Sequence, residues 1–174
     1  MAARGYIELL RLSKRGHKSY VDSETEKNRW SGVVFELSGQ YFVAPIGEVA
    51  EVIYLPVTTP VPNVKPWVWG MSNVRGRLYS VIDLQHFLSG KKSEPSTRQK
   101  LICVSNGQSH VGLVADQVLG VQHFNKKNYF LNNDTLPAEL QHYCQGYFYQ
   151  HHQAWNIFLF SQLLGDTNFI NAAA

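Results

Sequence analysis

Gly70-Met-Ser-Asn-Val-Arg-Gly-Arg-Leu-Tyr-Ser-Val-Ile-Asp-Leu-Gln-His-Phe-Leu88 carries the local information that decides the fold. It reads as a strand, a tight turn, a second strand and a short helix. Apolar residues lead up to Arg75-Gly76-Arg77, and Leu78, Tyr79, Val81, Ile82 and Leu84 follow. Gly76 accepts the positive φ that a hairpin tip often needs, and an arginine flanks it on each side. Asp83 stands where a helix start wants a capping oxygen, ahead of Phe87 and Leu88. No nucleophile with a partnering base lies in this stretch. A rigid hairpin holding an arginine outward is the simplest reading.

Working outward, the chain contains a weak internal repeat. Val33-Val-Phe-Glu-Leu37, a Ser-Gly-Gln turn and Tyr41-Phe-Val-Ala-Pro-Ile46 read as a hairpin. Leu101-Ile-Cys-Val104, a Ser-Asn-Gly-Gln turn and His110-Val-Gly-Leu-Val-Ala115 repeat it. Glu48 to Val52 answers Gln117 to Val121. Each half closes alike, Gly70 to Leu88 matching Gly146 to Leu164, which aligns Arg75 with His151 and Tyr79 with Trp155. Short strands at this spacing argue for an all-β protein of antiparallel barrels or sandwiches. Two similar halves argue for two small barrels, about residues 32–89 and 98–165. The polar run Ser89 to Thr97 is the expected seam. Residues 1–29 stand apart. Tyr6, Ile7, Leu9, Leu10 and Leu12 suit one side of a short helix, and the polar stretch from His17 to Arg29 reads as a tether.

At 174 residues the chain suits one domain, or two small ones closely packed. An apolar fraction of 44% supports an ordinary core, and a net charge of +3 is too weak to argue for nucleic acid. Cys103 and Cys144 form no metal-binding spacing and read as buried thiols of a reducing compartment. No signal peptide is evident, and no run approaches a membrane span. A soluble, cytoplasmic protein is expected.

The run Asn73-Val-Arg-Gly76 with Val81-Ile-Asp-Leu84 is similar to the N-L-R-G…P-[IV]-[IV]-D-L pattern of the CheW-like family. Gly39-Gln-Tyr-Phe42, Ile46 and Glu48-Val-Ala-Glu-Val52 resemble the family's opening, and Val111-Gly-Leu-Val-Ala-Asp116 its second half. The likeness covers roughly residues 32 to 165, with Ser80 where the family usually has proline. It implies two SH3-like five-stranded β-barrels side by side, with short helices and a hydrophobic groove at their junction. It further implies a non-enzymatic adaptor, without cofactor, linking the cytoplasmic tip of a chemoreceptor to the regulatory domain of a CheA-type histidine kinase. The extension and the loop Pro60 to Trp67 are similar to the pilus-type, twitching-motility members.

By the same resemblance Arg75 and Val49 are receptor-binding positions, and Glu51 and Val52 candidates for kinase contact; Arg77, beside Arg75, either shares its receptor-binding role or is ordinary surface. The residues alone allow plainer readings. A hairpin-tip arginine is usually solvated surface, though its fork suits carboxylates or exposed carbonyls. Val49 and Val52, three apart, suit positions facing their own core, with Glu51 between them pointing to solvent, whereas the resemblance implies partial exposure of Val49. Trp67 and Trp69 share one strand face, and aromatics beside a basic hairpin raise single-stranded nucleic-acid binding as the alternative. No Lys/Arg stripe accompanies them. His142, His151 and His152 near Cys144 make a poor metal set, because neighbouring strand residues point to opposite faces. Ser80, Asp83 and His86 lack a nucleophile elbow, and no phosphate-loop, dinucleotide or zinc-protease motif is present.

Overall fold

The computed structural model describes residues 28–107, 109–131 and 136–173, so the expected N-terminal extension lies almost wholly outside the described residues. The opening stretch forms strands β1 (Arg29–Leu37), β2 (Gln40–Pro45), β3 (Glu51–Tyr54), β4 (Val68–Val74) and β5 (Arg77–Asp83), then helix α1 (Leu84–Ser89). The remainder supplies β6 (Lys100–Ser105), β7 (His110–Ala115), β8 (Gln117–Asn125), β9 (Tyr129–Phe130), β10 (Cys144–Gln150) and β11 (Gln153–Phe158). Three short helices accompany them: α2 (Ala138–Gln141), α3 (Phe160–Leu163) and α4 (Thr167–Ile170).

The strands form two sheets, ordered β8-β1-β2-β11-β10-β9 and β3-β6-β7-β5-β4. In each sheet the inward residues of every long strand meet in one cluster, as a closed barrel requires. Val34, Val43, Phe124, Phe148, Trp155 and Ile157 fill the first. Val74, Tyr79, Val81, Leu101, Cys103 and Val114 fill the second. The molecule is therefore an all-β pair of SH3-like barrels, the two-residue β9 adding a short rim to the first.

A third cluster joins the barrels. Strand residues alternate between faces, and several strands here bury both. On β1, Val34 enters the first barrel while Phe35 and Leu37 face its neighbour. On β6, Leu101 and Cys103 fill the second barrel while Ile102 and Val104 face back. Phe35, Phe42, Phe158 and Phe160 meet in this joint, with ring centroids 5.4 to 6.0 Å apart. All four are at most 1% exposed, and burying each contributes roughly 1.5–3 kcal/mol.

The repeat is real, but its halves are not the barrels. The first barrel takes β1 and β2 from one half and β8 to β11 from the other; the second takes β3 to β5 and then β6 and β7. Two parallel pairings make the exchange, β2 with β11 and β5 with β7. The division at 32–89 and 98–165 therefore does not describe the barrels, since β1 and β2 lie in one and β3 to β5 in the other. The stretch from 89 to 97 connects two strands of the same barrel, and Ser93 within it is buried.

Asp83 explains that burial. Its Oδ1 accepts the His86 N–H at 3.0 Å, capping α1, and its Oδ2 accepts both N–H and hydroxyl of Ser93 at 3.0 Å. The carboxylate is fully buried with its oxygens occupied, as burial of a charge demands. In the second copy of the repeat Leu159 stands at the cap and offers no oxygen. Glu48, 112 residues earlier, supplies it: its Oε2 accepts the Phe160 N–H at 2.6 Å and the Ser161 N–H at 3.3 Å. Its Oε1 accepts the Ser161 hydroxyl at 2.6 Å.

Removing the Glu48 carboxylate leaves those donors unpaired. Glu48→Ala is expected to cost about 1–3 kcal/mol; an unchanged urea midpoint would mean that water replaces it. Because each barrel needs strands of both halves, fragments 28–95 and 96–174 should each lack a cooperative thermal transition and regain one when mixed. A cooperative melt by either fragment alone would contradict the exchange.

Candidate functional site

The quoted stretch folds as read. Val74 pairs with Arg77, leaving Arg75 and Gly76 as the two tip residues of the β4–β5 hairpin. Both take positive φ, 51° and 83°, the geometry of the two-residue turns that match strand twist. Asn73 Oδ1 accepts the Gly76 N–H at 2.9 Å and fixes the tip. Arg75 is thereby held at a non-glycine left-handed position by its flanks.

Its side chain is 80% exposed, yet it is aimed. Nε lies 3.2 Å from Oε2 of Glu51, whose side chain is 24% exposed. The contact is an ion pair without hydrogen-bond alignment, and Oε2 itself is shielded from solvent. β3 and β4 are the two edges of the five-stranded sheet; Thr59 and Met71 exchange two backbone hydrogen bonds of 2.8 Å that tie β4 to the segment after β3, and the ion pair adds a second link between these edges. Arg77 is exposed beside it. It shares a strand face with Tyr79, whose hydroxyl is pushed up by burial and by the Cys103 and Glu51 charges; the Arg77 guanidinium partly offsets this.

Val49, Glu51 and Val52 fall out differently from their spacing. Residues 51–54 form a strand, so the relevant period is two and not that of a helix. Val52 and Tyr54 face outward, 36% and 78% exposed, while Glu51 and Ile53 turn toward the second barrel. Val49, just before the strand, is half-buried against the cluster between the barrels. Val52 is thus the exposed valine and Glu51 the half-buried, paired residue, the reverse of the expectation for both. The structure brings Arg75, Arg77 and Glu51 together at one rim and leaves Val49 on the joint side of it.

Beside the hairpin lies a hollow of about 620 Å³ lined by Val57, Val61, Met71, Asn73 and Leu78 among others. Val57 is 94% exposed and Leu78 58%. The sequence reading missed both, although alternation along β5 supplies the signal for Leu78: with Tyr79 and Val81 inward, it must face out. A second cleft, about 410 Å³, lies between the barrels among Leu37, Phe42, Leu88 and Leu140. Neither Val49 nor Arg75 lines it.

The competing chemistries find no matching arrangement at their residues. Trp67 packs edge-on against Phe87 at 5.3 Å, and Trp69 packs on the second barrel's interior cluster, so neither ring is free to stack a base. His151 and His152 occupy the tip of the β10–β11 hairpin, and among the described residues no three His, Cys, Asp or Glu side chains are grouped for a metal. The Ser80 hydroxyl donates to Met71 sulfur at 3.3 Å, while Asp83 is engaged in its cap. Burial pushes the Cys103 thiol up to about 11 and that of Cys144 to about 12, so neither is a thiolate at neutral pH. No helix among the described residues is long and apolar enough to cross a membrane.

Comparison with known proteins agrees with this geometry. The CheW-like domain family matches residues 31–167. Protein PilI of Pseudomonas aeruginosa is 38% identical over 144 residues, 83% of this chain and 80% of that protein. FrzA of Myxococcus xanthus is 33% identical over 78 residues, 45% of this chain and 49% of its own. The crystal structure of the scaffolding protein TtCheW from Thermoanaerobacter tengcongensis superposes with a TM-score of 0.65 at 22% identity, covering 74% of this chain and 88% of that one. A matched domain running from β1 to the last helix, on a pair of barrels of the same fold, settles the kinship: the chain belongs to the CheW-like domain family.

Proposed function

We propose that this protein is a non-enzymatic cytoplasmic scaffold that couples chemoreceptors to a CheA-type histidine kinase. Its similarity to PilI along most of the chain supports service in a pilus-type, twitching-motility system. The single observation that carries the receptor contact is the tip of the β4–β5 hairpin. There a guanidinium 80% exposed is held in place by Glu51 beside an unfilled apolar hollow. Such a site suits the end of a helical hairpin. Exposed carbonyls or a carboxylate take the arginine fork, and apolar side chains take the hollow.

Arg75 and Arg77 are the charged elements of this contact, with Val49 at its joint side. The edge of β3, with Val52 outward and Glu51 at the rim, is the surface offered to the kinase's regulatory domain. Edge strands carry unpaired backbone groups suited to strand-to-strand docking. The mechanism is linkage: two partners on one rigid body bias each other to the extent that binding one changes the geometry offered to the other.

Titration calorimetry with the regulatory domain of the cognate kinase is expected to give saturable one-to-one binding. Arg75→Ala should weaken receptor binding by about 1–3 kcal/mol while leaving the thermal melt and kinase affinity in place. Unchanged receptor affinity in the folded variant would remove Arg75 from the contact, and no kinase binding at tens of micromolar would refute the adaptor reading.

A further inference from the structure

Where the chain first crosses from one barrel to the other, it passes through a turn that is held from outside. Pro45 ends β2 in the first barrel, Glu51 begins β3 in the second, and Ile46–Glu48 make a single 3₁₀ turn between them. That turn holds itself poorly. No side chain caps it, and its closing bond, from the Val49 N–H to the Ile46 carbonyl, is long at 3.4 Å. Gly47 has no side chain to anchor, and Ile46 is 41% exposed. Firm attachment to the second barrel resumes at Ala50, whose N–H donates to the Cys103 carbonyl at 2.8 Å.

Glu48 supplies what the turn lacks. Its carboxylate takes three hydrogen bonds at the start of α3, two of them at 2.6 Å. Bonds to a carboxylate are roughly twice as strong as neutral ones. Phe160, one of the donors, is fully buried in the joint between the barrels, so Glu48 is moored to a rigid part of the molecule. On one side of it in the chain stands Ile46, exposed, and next to it Val49, half-buried against the same joint. The bonds that finish α3 therefore also fix where Ile46 and Val49 stand. The helix alone does not require so distant a cap. Its counterpart α1 is capped by the adjoining Asp83, and Leu159 already has the extended backbone on which a capping side chain would serve α3. An oxygen drawn from 112 residues away does more than cap: it ties the turn to the helix.

We propose that Glu48 is a positioning residue for docking of the receptor's helical hairpin, a role that rests on Val49 as part of that contact and adds Ile46 to it. Held by α3, the turn presents the two apolar side chains in one arrangement before the partner arrives. A turn left free has to be ordered on binding, and that cost is subtracted from affinity. β3 keeps its ladder to β6 whatever residue 48 is, so the edge offered to the kinase does not depend on Glu48.

The test compares Glu48→Ala with Glu48→Gln in the full chain, titrated with the receptor's cytoplasmic hairpin and with the kinase's regulatory domain, well below the melt of either variant. Glu48→Ala should weaken receptor binding about ten-fold, the factor for re-ordering roughly one backbone residue, and leave kinase affinity unchanged. Glu48→Gln keeps an acceptor oxygen at the same reach and should recover most of the loss. Amide exchange, followed residue by residue, needs no partner. In Glu48→Ala the Val49 and Ala50 N–H groups should exchange faster, together with those of Phe160 and Ser161. Faster exchange confined to α3 would make Glu48 a helix cap only and overturn the proposal. So would equal losses of receptor and kinase affinity, which mark general loosening, or unchanged receptor affinity where Arg75→Ala still weakens it. Both variants without effect would sink the receptor reading itself, and the role of Glu48 with it. Should Glu48→Ala fail to fold, Ser161→Ala, which removes one of the three donors, is read by the same outcomes with smaller shifts.

Discussion

The structure depends on strands that bury both faces. In an ordinary small barrel one face of each strand fills the interior and the other meets water, which gives a clean alternation of apolar and polar residues. Here β1, β2, β6 and β7 send alternate residues into a barrel and into the joint between barrels. Phe35 and Phe42 stack at 5.6 Å on one side of that joint, and Ile102, Leu113 and Ala115 come from the other. Interiors of this density deform little, because loosening one contact forfeits many dispersion contacts at once. The two barrels therefore behave as one body.

Hairpin exchange strengthens the same point. Each half of the chain gives its first hairpin to one barrel and its closing hairpin to the other, so neither barrel can open without involving both halves. The two closing hairpins share a geometry. Each ends in a two-residue tip of positive φ, Arg75-Gly76 in one and His151-His152 in the other. Each has, as the third residue of its first strand, a glycine closely approached by a backbone carbonyl from another segment. A Cβ on Gly70 would stand 2.0 Å from the Thr59 carbonyl oxygen, and one on Gly146 2.3 Å from that of Phe130. The chemistry placed on the two frames differs. One tip presents a guanidinium beside a carboxylate, the other two imidazoles, and one following helix is capped by its own aspartate while the other borrows Glu48.

How far the sequence could be read follows from which interactions are local. The hairpin tip, the Asp83 cap and the repeat rest on neighbours in the chain, and they were legible in Arg75-Gly76, in Asp83 and in the matched spacing of Gly70 to Leu88 with Gly146 to Leu164. The exchange of hairpins was not. It rests on the parallel pairings of β2 with β11 and β5 with β7, whose partners lie far apart in the chain and leave no periodic trace. The hint was the near-continuous apolar runs Leu101 to Val104 and Val111 to Ala115, which signal strands covered on both sides. Val52 and Glu51 were misread because residues three apart share a face only on a helix, and this stretch is extended. The polar run Ser89 to Thr97 reads as a seam because nothing local signals that the buried Asp83 carboxylate claims the Ser93 hydroxyl.

The Arg75–Glu51 pair shows how a weak interaction can still set the direction of an exposed side chain. An ion pair with so exposed an arginine contributes little stability, on the order of 0–1 kcal/mol, and salt screens it further. Its effect is on direction. The four-bond stem of a free arginine samples many rotamers, and ordering such a side chain on binding costs about 1.5–2 kcal/mol. Glu51 narrows that search beforehand, at a place where the edges of the sheet do not hydrogen-bond to each other. The orientation rests in turn on β3, and β3 is held through its ladder to β6, from Glu51 opposite Cys103 to Tyr54 opposite Lys100. β6 buries Ile102 and Val104 in the joint. The aim of one exposed guanidinium is thus traceable, contact by contact, to the packing between the two barrels.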